Sequence, residues 1–149
     1  MTDSSASRVP DASPAGANAR IEARTRAAIT HAGTNPREIG RRLRELDREW
    51  DIERVLMANA AMLGLAGLAL GLAADRRFLA LPVAVSAFLL QHALQGWCPP
   101  LPVFRRLGYR TATEINEERT ALKVLRGDFA GFEEGAPPGH VLAAVRGTE

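Results

Sequence analysis

"VLMANAAMLGLAGLALGLAA", residues 55–74, contains no Asp, Glu, Lys or Arg. At about 1.5 Å of rise per residue, a helix of that length reaches roughly 30 Å, the depth of a hydrocarbon core. After Asp75-Arg76-Arg77 comes a second uncharged stretch, "FLALPVAVSAFLLQHALQGW", residues 78–97. Leu, Val and Phe number seven in the first stretch and nine in the second. Each favours insertion by about 0.3–0.6 kcal/mol. A soluble buried hairpin would need other apolar chain around both helices, and the flanks carry only thin apolar stripes. The sequence therefore predicts an all-α membrane protein: a two-helix transmembrane hairpin with flanking cytoplasmic amphipathic helices.

Working outward, the chain divides into five segments. Residues 1–34 are rich in Ala, Ser, Pro, Gly and Arg. They hold too little apolar surface to offset ordering entropy, which predicts a largely disordered tail with room for a short helix around 18–29. Residues 35–54 read as a charged amphipathic pre-membrane helix. Asn35 is the N-cap and Pro36 the first helical residue, with Ile39, Leu43, Leu46 and Trp50 as one narrow stripe. Six arginines face six carboxylates between 37 and 54, a pattern suited to a salt-bridged surface helix or an interfacial one. The hairpin occupies 55–98. A basic exit segment and a second cytoplasmic helix fill 99–127, with Ile115, Leu122 and Leu125 as its apolar side and Gly127 as its stop. A loose tail runs over 128–149.

Charge sets the orientation. Eight arginines flank the outer ends of the two spans and two lie in the connecting loop, so both termini are expected in the cytoplasm of a multi-pass inner-membrane protein. The formal net charge of +2, with acids mixed among the arginines, gives a nucleic-acid partner little support. A single cysteine excludes an internal disulfide and a multi-cysteine zinc site. The three histidines lack metal-ligand spacing, so no metal or cofactor is expected. No continuous apolar signal region opens residues 1–32.

Within the spans, Ala60, Gly64, Gly67 and Gly71 recur at spacings of 4, 3 and 4, and so do Ala80, Ala84, Ala87 and Gln91. Antiparallel pairing with a constant residue sum would set Gly71 against Ala80, Gly67 against Ala84 and Gly64 against Ala87. That gives a small-residue seam of the kind that lets helices approach in lipid, although such residues are also common in any span. Gly67 and Gly71 form a G-x-x-x-G pair that points weakly to self-association, and a homo-oligomer is the expected state. Pro82 either starts the second helix or kinks it. Asn59, Gln91, His92 and Gln95 are the intramembrane polar residues, suited to interhelical hydrogen bonds or to a polar passage through an oligomer. Arg54, Trp97, Arg105 and Arg106 are the expected membrane-interface residues. Cys98 follows the second span, as a small interface residue or as a reactive thiol tuned by its neighbours.

"EWDIER" before a Gly-rich span, a Cys98-Pro99 exit and the segment "FRRLGYRT" together resemble the YgaP-like inner-membrane domain family, over residues 50–111. Its members are small two-span bacterial membrane proteins, sometimes following a rhodanese sulfurtransferase domain. In this chain "PPLPVF" lengthens the stretch between the cysteine and Gly108. The resemblance implies a bacterial inner membrane and is nearly silent on activity. Three readings follow. The first is a self-associating, non-enzymatic module with cytoplasmic helices for a protein partner. The others are a sulfur relay through Cys98 with a separate sulfurtransferase, and oligomeric transport of a small solute.

Overall fold

The computed structural model describes residues 8–130, 139–141 and 145, and shows helices and turns with no strand among them. Among residues 8–130 the helices follow in order: α1 (Arg8–Asp11), α2 (Ala15–Ala32), α3 (Pro36–Leu46), α4 (Ile52–Ala73), α5 (Ala80–Gln95), α6 (Leu101–Leu107) and α7 (Ala112–Arg126). A 3-10 turn over Arg76–Leu79 leads into α5. Two helical segments are long and apolar enough to cross a membrane, Ile52–Ala73 and Arg76–Gln95. The segments 1–7, 131–138, 142–144 and 146–149, with most of the expected loose tail, lie outside the described residues.

The described chain forms two compact units, one from residues 8–23 and 50–113, the other from 24–49 and the residues after 113. In the first, α4 and α5 pack on one another. Asp51 accepts the Arg54 amide at 2.7 Å, which caps α4 and starts it three residues before the uncharged run. The pre-membrane helix expected over 35–54 is therefore interrupted. α3 ends at Leu46, and Trp50 leaves the apolar stripe to stand 45% exposed. The Arg54 guanidinium lies 4.1 Å above its ring centroid.

Asp75 caps the 3-10 turn through the Arg77 amide at 2.8 Å. Pro82 falls in the first turn of α5, where its missing N–H leaves no helical hydrogen bond unmade, so it opens the helix without kinking it. α5 stops before the prolines at 99 and 100. Gly96 adopts φ 72°, and its amide reaches the His92 carbonyl at 2.7 Å.

The pairing of α4 with α5 departs from the constant-sum register. Gly67 faces Leu81 and Pro82, and Gly71 faces Leu79. Ala60, Gly67 and Gly71 are buried and Gly64 half-buried, whereas Ala80, Ala84 and Ala87 are all exposed. The second span instead meets the α4 glycines through Leu79 of the 3-10 turn and Leu81 and Pro82 of α5. The 3-10 turn winds more tightly than an α-helix, so the face that enters α5 is rotated from the one a continuous helix would present.

In the N-terminal stretch expected to be largely disordered, α1 and α2 are helical, α2 over 18 residues. Val9, Ala17, Ile21 and Ala32 are buried, so docking supplies the stability that composition lacks. Arg8 lies against Gly96, and its guanidinium donates to the Ala93 carbonyl at 3.3 Å.

The second unit packs α3 on α7 through Ile39, Leu43, Leu46, Ile115 and Leu122, with Ala32 completing the cluster. Leu125, expected on the apolar side, is 53% exposed. Gly127 terminates α7 with φ 87°, the Asp128 amide closing back on the Lys123 carbonyl at 3.1 Å. Arg42 crosses to Glu118, whose side chain is fully buried, with Nε to Oε1 at 2.7 Å and Nη2 to Oε2 at 3.2 Å. The Glu118 carboxylate holds the Arg42 pKa above its ordinary value, against the opposing effect of burial.

Two expectations follow. A Cβ at Gly67 would meet Pro82 Cδ at 2.7 Å and Leu81 Cβ at 3.0 Å, whereas one at Gly64 has open space. Gly67→Val is expected to destabilise the chain by about 1–3 kcal/mol through overpacking, and Gly64→Val to leave it nearly unchanged, by thermal melts in detergent. Removing one partner of a buried ion pair costs about 3–5 kcal/mol, against about 0.5 kcal/mol for an exposed i,i+3 pair. Arg42→Ala should therefore lower the melt far more than Arg41→Ala, which breaks only the surface contact to Glu38.

Candidate functional site

Cys98 sits where four helices of the first unit converge. It is 4% exposed and packs with Val9 of α1, Ile52 and Leu56 of α4, and Leu101 of α6, against Ala12 and Phe104. The position follows from the local chain. Gly96 turns sharply, and Cys98 then accepts the Leu101 amide on its carbonyl at 3.1 Å, which starts α6 immediately afterwards. Cys98 is among the residues that line a cleft of about 90 Å³ between α4 and α5, with Leu56, Asn59, Ala60, Val85 and Phe88.

Arg105 fixes the far side of this junction. Expected at the membrane interface, it is 1% exposed: Nη1 donates to the Tyr109 carbonyl at 3.1 Å and Nη2 to Asn18 Oδ1 at 2.7 Å. The Phe104 and Tyr109 rings meet edge to face across the same turn, with centroids 5.8 Å apart. The Arg110 carbonyl accepts the Ile52 amide at 2.8 Å, tying the end of the exit segment to the start of α4. A guanidinium needs several acceptors when taken from water, and the Tyr109 carbonyl and the Asn18 amide of α2 supply one each to Nη1 and Nη2. Arg54 and Arg106 are exposed, and Trp97 is 39% exposed.

The expected polar residues do not form one group. Asn59 reaches the cleft. Gln91 and His92 are half-buried outside its lining, and Gln95 is exposed. His92 Nδ1 is enclosed without a hydrogen-bond partner. Among the described residues no group of three His, Cys, Asp or Glu side chains is placed to hold a metal ion.

The chemistry available at Cys98 is that of a buried thiol. Burial pushes its pKa up, opposed in part by the Leu101 amide hydrogen bond. The lining of the cleft contains no titratable group besides the thiol, so no base adjoins it there. Sequence reasoning did not name the packing partners of Cys98, which the structure supplies as an apolar cluster of Val9, Ile52, Leu56 and Leu101. It also missed Asn18 and Arg8, for which an Ala-rich polar stretch gives no signal.

Comparison with protein-family models, curated proteins and solved structures finds no match to this chain.

Because the thiolate is the reactive form, Cys98 in the folded chain is expected to react with iodoacetamide about tenfold or more slowly at about pH 8 than in denaturant. The rate should still be climbing above the ordinary thiol range. The folded chain prefers the neutral thiol, so this group's contribution to stability is present below that range and falls as pH rises through it.

Proposed function

We propose that this protein is an integral membrane protein of two spans, a helical hairpin formed by α4 and α5 with both termini on the cytoplasmic side, acting as a self-associating membrane module. One observation carries the reading. In the most apolar 18-residue stretch of the second span no residue is buried, and α4 leaves Met57, Met62, Leu65 and Leu72 each more than half exposed. A helix apolar around its circumference and uncovered by its own chain needs an apolar solvent. The arginines around the outer ends of the spans and the short loop with two give the orientation.

Self-association is supported by the exposed row Ala80, Ala84 and Ala87, which allows close approach of another helix in lipid. The resemblance to the YgaP-like inner-membrane domain family points to the same two-span plan in a bacterial inner membrane. A relay through Cys98 gains no support from its buried, protonated thiol.

Extraction of cell membranes with alkaline carbonate tests the reading. The chain is expected to stay with the membrane pellet and to need detergent for release. Recovery in the aqueous supernatant as a compact monomer would overturn it.

A further inference from the structure

The second unit contains a cleft of about 460 Å³ between α3 and α7, a volume within the roughly 300–1,000 Å³ typical of small-ligand sites. Arg44 comes from α3, and Arg119, Lys123 and Arg126 come from α7; the one carboxylate in the lining is Asp47. Gly40 contributes to the wall, where the lack of a side chain keeps it open: a Cβ there would meet only Arg44 Nη1, at 3.7 Å.

The excess of positive charge is local. The whole chain carries a formal +2, whereas this lining alone sets four cations against one carboxylate. Other carboxylates of α3 and α7 are engaged in ion pairs elsewhere. Glu38 pairs with Arg41, and Glu45 and Glu118 both pair with Arg42. Within the cleft Arg119 holds Asp47 at 3.0 Å. Arg126 is paired with Asp128, whose carboxyl it holds below the usual range. Lys123, 7% exposed, donates to the Val145 carbonyl. Arg44 is exposed and has no ion pair or hydrogen bond with any described residue.

We infer that the α3–α7 cleft binds a phosphate group, carried by a soluble phosphorylated ligand or by an anionic lipid headgroup. Guanidinium forks offer paired N–H donors matched to phosphate oxygens, and Lys123, a buried lining residue, adds a point charge. An arriving phosphate engages the free Arg44 first and then draws on Arg119, which donates to Asp47 and Asn116, and on Lys123, which donates to the Val145 carbonyl.

The test uses the full chain in a non-ionic detergent. Pyrophosphate binding is followed by calorimetry, and retention of phosphatidylglycerol against phosphatidylcholine by native mass spectrometry. Saturable binding of either probe supports the inference when Arg44→Gln and Gly40→Leu each weaken it about tenfold, the fold-change expected for one charge-assisted contact, and Arg41→Gln leaves it unchanged. Pyrophosphate binding identifies a soluble source, and selective phosphatidylglycerol retention a headgroup. Circular dichroism verifies that each variant is folded. If Gly40→Leu does not fold, the comparison of Arg44→Gln with Arg41→Gln decides alone. Absence of saturable binding by both probes overturns the inference. So does equal weakening by Arg41→Gln, which would mean diffuse charge attraction, or preferential binding of a poly-glutamate peptide over both phosphate probes.

Discussion

The constraint on which the rest depends is solvation of the two apolar helices. Leucine, valine, phenylalanine and methionine surround α4 and α5, and after the first turn of α4 the chain buries only Leu56 among them, with none buried along α5. In water each exposed large side chain forgoes about 1.5–3 kcal/mol of burial. The helices also satisfy their own backbone polar groups, as an apolar medium demands. Where the uncharged run ends, polar groups return under control: Asp51 caps one end of α4 and Asp75 caps the turn after it.

The chain leaves α5 through a junction packed by α1, α4 and α6. Gly96 gives a left-handed turn that α1 can approach closely, because a Cβ there would collide with the Arg8 backbone at 3.0 Å. Cys98 and Leu101 then fill the space beside Ile52 and Leu56. Arg105 is placed with its acceptors rather than toward solvent. The cysteine belongs to this packing. A thiol is small, weakly polar and compatible with an apolar corner, and burial disfavours the thiolate that chemistry would require.

How much of this was legible follows from which interactions are local. Span length and apolarity are properties of continuous sequence, and both stretches were visible at once. The caps at Asn35 and the stop at Gly127 are also local, and each lies where its residue type predicts. Asp51 was hidden because it sits inside a charge-rich stretch whose spacing also suits an unbroken helix. The helices between 8 and 32 were underestimated for a different reason: Val9, Ala17 and Ile21 gain their burial from other parts of the chain, which composition does not report. Arg105 looked like an interface cation because its acceptors, Asn18 and the Tyr109 carbonyl, are set by folding.

The helix register shows the same division most sharply. Small residues at matched spacings on both spans define a seam only if both helices are regular up to their shared turn. α4 meets that condition, and its buried residues Ala60, Gly67 and Gly71 fall on one face. The second span does not, because Asp75 begins a 3-10 turn and Pro82 then enters at the first turn of α5. The consequence is an asymmetric contact in which the glycines of one helix receive Leu79, Leu81 and Pro82 of the other. Bulk on one side compensates for its absence on the other, so close packing does not require small residues on both. The alanines of α5 are thereby released from the internal contact and stand on its outer surface. Spacing alone could not separate these two uses of alanine, since the same 4-3 repeat serves an internal seam or an external one. The few residues of tight helix before Pro82 decide between them.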